Sequence, residues 1–246
     1  MTRWVAGVDG CPGGWIAALR RLGEAGPVVV RVVPDLAALC DGPEAPAVAA
    51  VDIPIGLPER VGAGGRTAEQ LVRPLLGPRR ASVFPTSARA VVYAPDYTAA
   101  IALARTGGLQ PFAPSPPANA IFPRIRAVDA LLRRQSDLRE RVYEVHPELA
   151  FASLNGGVPL AAPKRAPAGA AQRRAALRRA GLPEEVVEAA PPRGAARDDL
   201  LDALVALVVA QGLAAGRGLS YPDPPERDAH GLPVAIWTLP PTEARS

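Results

Sequence analysis

Trp4-Val-Ala-Gly-Val-Asp-Gly-Cys-Pro-Gly-Gly-Trp-Ile-Ala-Ala-Leu19 decides the fold. Two short apolar runs, Trp4 to Val8 and Trp15 to Leu19, flank a Gly/Pro cluster, which is the pattern of a β-hairpin with Asp9 standing where the first strand ends. Glycine at positions 7, 10, 13 and 14 strips side chains from around that carboxylate, so backbone or a ligand phosphate can approach it closely. A lone aspartate there has two readings: a turn bonded to its own backbone, or one ligand of a metal ion. Only further acids in matching positions separate them.

Outward from the hairpin, Pro27 to Val33 is β-branched and continues the meander as a third strand, and Asp35 to Cys40 makes a short helix. Ala45 to Ile53 is an uninterrupted apolar run, as expected of a central strand buried on both faces and parallel to the first. Asp52 then falls at its carboxyl end, where open α/β sheets keep their sites. Residues 57 to 122 are less regular, with helices expected from Thr67 to Leu76 and Asp96 to Arg105 and a proline-rich loop from Gly107 to Pro117. Ile121 to Gln135 has helical spacing. Arg141 to Val145 reads as a strand that Pro147 closes, delivering Glu144 with Glu148 as its neighbour. Ala168 to Ala180 and Glu184 to Ala190 read as helices, Tyr221 to Gly231 as a loop and Val234 to Thr238 as a last strand. Asp198 to Ala215 is the strongest helical segment. At 100° per residue Asp199, Asp202, Ala203, Ala206 and Ala210 form one stripe, and the alanines let the helix lie close to whatever it packs on. Asp198 is the expected cap of that helix.

The chain of 246 residues has no hydrophilic linker, which favours a single domain over 1–246 with a helical and loop insertion around 57–122. Basic residues exceed acidic ones only by 28 to 24, a mild excess compatible with a polyanionic partner. Cys11, Cys40, His146 and His230 are too scattered for a zinc pattern or a disulfide framework, so a cytoplasmic setting is expected. The apolar stretch Leu200 to Ala215 is too short for a membrane span and is broken by Asp202 and Gln211.

Asp9, Asp52, Glu144, Asp199 and Asp202 therefore stand at strand ends or on the first turns of one helix. An oxygen-only acidic set without histidine or cysteine suits hard ions, Mg²⁺ or Mn²⁺, and two such ions can serve an in-line phosphoryl displacement. The competing reading makes Asp199 and Asp202 complements of the helix dipole. Lys164, the only lysine, and Arg165 are candidates for phosphate contact, as are Arg66 and Arg73 with Arg79 and Arg80. His146 is a candidate proton shuttle or a structural group.

The segments Gly7-Val-Asp-Gly-Cys-Pro-Gly-Gly-Trp15, Val51-Asp-Ile-Pro-Ile-Gly56, Ser82-Val-Phe-Pro85, Glu144-Val-His-Pro-Glu148, Lys164-Arg165 before Pro167-Ala-Gly169, and Asp198-Asp-Leu-Leu-Asp-Ala203 occur in that order. Together they resemble a domain-of-unknown-function family described as predicted ribonuclease-H-like nucleases. The resemblance implies an α/β ribonuclease H-like fold, a five-stranded mixed sheet with strands 1 to 3 antiparallel and strands 4 and 5 parallel to strand 1, flanked by helices. It also implies that Asp9, Asp52, Asp199 and Asp202 bind Mg²⁺ or Mn²⁺, that the substrate is DNA or RNA, and that the reaction is phosphodiester hydrolysis. The chain has Glu69 where the resembled family commonly has aspartate. Two alternatives use the same residues: a nucleotide-binding phosphotransfer protein of the actin-like ATPase or sugar-kinase type, and a nucleic-acid-binding module whose acids are structural.

Overall fold

The computed structural model describes residues 3–23 and 26–242. The chain divides into two compact units: residues 1–52, 141–219 and 237–246 form the first, and residues 53–140 and 220–236 the second.

The first unit is built on a five-stranded mixed sheet. β1 (Trp4–Cys11) and β2 (Gly14–Arg21) form the expected hairpin, with Cys11 paired to Gly14, and β3 (Val29–Val33) adds antiparallel to β2. β4 (Pro46–Val51) lies parallel to β1, and β5 (Val142–Glu144) parallel to β4, in the order β3-β2-β1-β4-β5. This is the expected α/β arrangement, consistent with a ribonuclease H-like fold. The tight turn depends on glycine at one point, because Gly14 has φ +124° and a Cβ there would lie 2.4 Å from the Val33 carbonyl oxygen.

The helix Arg197–Ala214 packs on β1, β4 and β2, and residues 200–210 are all buried. Its approach to the sheet is closest at Gly7. A Cβ at that position would lie 1.9 Å from the Leu207 amide nitrogen and 2.2 Å from the Ala203 carbonyl oxygen. The alanine stripe and Gly7 are thus two halves of one contact, backbone against backbone, with Ala203, Ala206 and Ala210 fully enclosed. The helices Pro147–Leu154, Pro167–Arg179 and Glu184–Val187 complete this core through Phe151, Leu177 and Val187. Pro147 does not close a strand as expected. It is the first residue of its helix, a position where its missing N–H costs nothing.

The expected insertion around 57–122 is larger. It runs over residues 53–140, recruits 220–236, and has its own core in which Val72, Leu76, Val91, Ile125, Leu132 and Leu138 are buried. The helices Thr67–Leu75, Tyr97–Thr106 and Phe122–Arg134 match the expected segments within a residue or two, and Asp96 caps the second through its carboxylate. Part of the expected proline-rich loop, Pro116–Ala120, is a short helix opened by two prolines and capped by Ser115. Tyr221 to Gly231 is not a loop throughout. Leu219–Arg227 is a strand, β6, paired with β7 (Pro233–Thr238) in a separate two-stranded sheet. With a single neighbour, β6 can carry Pro222, Pro224 and Pro225 without losing ladder bonds on both sides. Among the described residues no helix is long and apolar enough to cross a membrane.

Gly7→Ala forces a methyl into the main chain of the Arg197–Ala214 helix. The expected loss of stability is about 3 kcal/mol or more, the upper end of overpacking costs, measured by denaturant unfolding. Gly62→Ala, which meets nothing within 4 Å, should stay within about 0.5 kcal/mol of wild type.

Candidate acidic site

Strand register brings the first two acids together. Val8 pairs with Val51, and the Asp52 amide donates to the Val8 carbonyl at 2.9 Å, so Asp9 and Asp52 are the next residues on neighbouring parallel strands. Alternation along β1 puts Asp9 on the same face as Val5 and Gly7, the face covered by the helix Arg197–Ala214. That helix sets Asp202 against the same region one turn before its contact with Gly7. Asp9, Glu144 and Asp202 are buried to 8%, 5% and 3% exposure, whereas Asp52 and Asp199 are partly covered.

The electrostatics show which acids face one another. Burial, followed by the charges of Asp52, Asp202 and Asp199, holds the Asp9 carboxyl well above the usual carboxylate range. Burial and then the charge of Asp202 push Asp52 up to about 8, with a smaller upward push from Glu144. Burial also raises Asp202, opposed by Lys164. The Lys164 ammonium donates to Asp202 Oδ2 at 2.9 Å and lies 3.6 Å from Asp198 Oδ2. Burial would release its proton, but Asp202, Asp198 and Asp9 overcome this, so its pKa is raised and the ammonium persists. The loop carrying Lys164 lies on Gly169, where a Cβ would be 1.9 Å from the Pro163 carbonyl oxygen.

Two acids outside the expected set, or placed otherwise within it, change the picture. Glu144 pairs in register with Val51, one residue short of Asp52, so strand alternation turns it to the opposite face from Asp9 and Asp52. Glu148, in the first turn of the helix Pro147–Leu154, is the acid whose charge reaches Asp202. It is held by Arg173, which is 1% exposed, stacks 5.3 Å over the Phe151 ring and donates to the Gly169 carbonyl at 3.2 Å. The sequence signal for Glu148 was Pro147, which starts a helix and so places the next residue in its first turn. Arg173 gave no signal among the arginines of its helix.

Asp198 does not cap the Arg197–Ala214 helix. Ala196 occupies the cap position, and Asp199 reaches back to accept the Ala196 amide at 2.8 Å. Asp9 Oδ1 likewise accepts the Gly10 amide at 2.7 Å. The turn-bonding and dipole roles weighed for these two acids are therefore present alongside their mutual repulsion. Arg165 is exposed beside Lys164, and His146 precedes the helix that carries Glu148.

Arg66 and Arg73 belong to the second unit and are engaged there. Arg66 is 3% exposed, donates to Glu69 Oε1 at 2.7 Å and to the Ile55 carbonyl at 2.6 Å, while Thr86 donates to the same Glu69 oxygen. Arg73 donates to the Val83 and Gly64 carbonyls. Both guanidiniums brace loops, so the expected phosphate-positioning role does not hold for them. The longer Glu69, in place of aspartate, reaches both the guanidinium and the Arg66 amide.

The donor set of Asp9, Asp52 and Asp202 is oxygen only, with two of the three buried, which fits a hard divalent cation chemically. Among the described residues no three His, Cys, Asp or Glu side chains form a ready-made metal cage. In this arrangement the Lys164 ammonium is the cation on Asp202.

Because the Asp52 pKa is raised on folding, the native state keeps a proton that the unfolded chain has lost between about pH 4 and about 8. Stability without divalent ions should fall as pH rises through that window. Asp52→Asn removes the penalty and is expected to raise the unfolding free energy at pH 8 by at least about 1.4 kcal/mol, the equivalent of one pKa unit, with little change below pH 4. Thermal or denaturant unfolding of both proteins across this range checks it.

No curated protein and no solved structure matches the chain. One family model does match, over residues 7–227, and these residues include all six motif segments and every acid of the site. The chain belongs to the family described as Protein of unknown function (DUF429).

Proposed function

We propose that the chain is a divalent-metal-dependent hydrolase of nucleic-acid phosphodiester bonds. The observation that carries this reading is that Asp9, Asp52 and Asp202, from three distant segments, converge: the charges of Asp52 and Asp202 raise Asp9, and that of Asp202 raises Asp52. A fold of this kind hosts many chemistries, so the site rather than the sheet bears the weight.

Burying several like charges is unfavourable unless a cation offsets them. Lys164 and Arg173 offset part of the charge on Asp202, and Lys164 part of that on Asp9 and Asp52, yet both of the latter stay raised. Asp9, Asp52 and Asp202 would hold Mg²⁺ or Mn²⁺, with Asp199 within reach of the same field. Bound there, such an ion would supply electrostatic stabilisation of the phosphate undergoing displacement. The rest falls to the chain. The side chain of Lys164, still 41% exposed, can contact a non-bridging phosphate oxygen without leaving Asp202. Exposed Arg165 adds a second positive group beside it. The Glu148–Arg173 pair fixes the helix Pro167–Arg179 at Gly169, and thereby the loop that presents Lys164.

The test is a panel of labelled DNA, RNA, hybrid and branched substrates with Mg²⁺ and Mn²⁺. Wild type should cleave at least one, and excess chelator should stop it. Asp9→Asn and Asp52→Asn should each lower the rate by more than about 100-fold, beyond the cost of losing an outer partner of a metal ligand, while the folded state persists. Cleavage that survives both substitutions, or the chelator, contradicts the reading.

A further inference from the structure

The second unit has a groove of about 570 Å³ lined by Tyr93, Ala130, Arg133, Arg134, Arg139 and His230. None of these residues is acidic. Its walls are fastened from beneath by a buried ionic chain. Asp228 accepts the amides of His230 and Leu232 at 2.9 Å and takes Arg89 at 2.7 Å. Arg89 also donates to Asp129 at 2.8 Å, and Asp129 accepts the Tyr93 hydroxyl at 2.6 Å. The β6–β7 turn, the helix Arg89–Val92 and the helix Phe122–Arg134 are thus fixed to one another, and the groove is preorganised.

The two buried acids take up Arg89 and one groove arginine, Arg133, and leave the other groove arginines unneutralised. Asp129 and Asp228 are matched by Arg89, and Arg133 lies 3.6 Å from Asp129. Arg139 spends two nitrogens on the Leu132 and Arg133 carbonyls at 3.0 and 3.2 Å, which holds the guanidinium in place without neutralising it. Among the described residues neither Arg134 nor Arg139 is paired with an acid. Tyr93, 39% exposed with its hydroxyl tied down, presents a fixed aromatic ring beside them. Guanidiniums that retain free donors suit phosphate oxygens, and a pinned ring suits a base.

We propose that this groove binds a nucleic-acid strand, with Arg134 and Arg139 on its phosphates and Tyr93 against a base. It deepens the proposed function, since the strand would be the substrate class named there. Binding is measured without cleavage, in chelator, by fluorescence anisotropy of a labelled single-stranded DNA and RNA, at about 50 mM and about 200 mM salt, a range in which phosphate contacts reveal themselves. Arg134→Ala/Arg139→Ala should weaken binding at least about tenfold and lower the salt slope by about two, one per phosphate contact. Tyr93→Leu should weaken it about tenfold with the slope unchanged. Arg139→Ala loosens a helix end, so Arg134→Glu, at an exposed position without a partner, repeats the test where folding is not at stake. Unchanged affinity and slope in the double variant and in Arg134→Glu overturn the proposal. So does binding of pyrophosphate with no binding of either strand. Groove-dependent binding without cleavage by wild type would remove the hydrolase reading and keep the groove; cleavage with binding indifferent to both arginines would do the reverse.

Discussion

The contact on which the acidic site depends is a glycine against a helix backbone. Gly7 has no side chain to hold the helix Arg197–Ala214 off β1, and Ala203 and Ala206 have little more, so the helix main chain rests on the strand. Asp202 is one turn from that contact. It is therefore lowered to the level of Asp9 and Asp52, which the parallel register of β1 and β4 has already set side by side. A bulkier pair of surfaces would raise the helix and separate the charges.

Such proximity has a thermodynamic consequence. Burial disfavours ionisation of Asp52 and the charge of Asp202 disfavours it further, which is why Asp52 holds its proton up to about pH 8. The protein offsets part of this with one ammonium, placed by a second close contact of the same kind, the Lys164 loop lying on Gly169. Arg173 pairs with Glu148 and donates to the carbonyl of Gly169, which steadies the frame, and its charge also favours the ionised form of Asp202. Carboxylates shifted by burial and by specific neighbours in one place mark a candidate functional site.

How much of this was legible in the sequence follows from how local each signal is. The hairpin, the strand ending at Asp52 and the long helix are written in contiguous apolar patterns, and they carry Asp9, Asp52 and Asp202. The facing of Glu144 depends on the register of a three-residue strand, a pairing with Val51 that no local pattern encodes, and its charge still reaches Asp52. Asp199 rather than Asp198 bonds the helix start because the helix begins one residue earlier than its apolar pattern suggests, at Arg197. Arg66 looked available for phosphate, yet its partners at Ile55 and Gly56 are ten and more residues away. The prolines of β6 argued for a loop, and only its having a single neighbour makes them admissible in a strand.

The central claim is that the converging acids are a cation site held protonated until the ion arrives. Calorimetric titration of the protein with Mg²⁺ and Mn²⁺ on either side of pH 8, in buffers of different ionisation enthalpy, tests it most directly. Binding should strengthen as pH rises toward 8, release protons on the acid side, and vanish in Asp9→Asn and Asp52→Asn. Binding with no proton release, or with equal strength in those two variants, would contradict it.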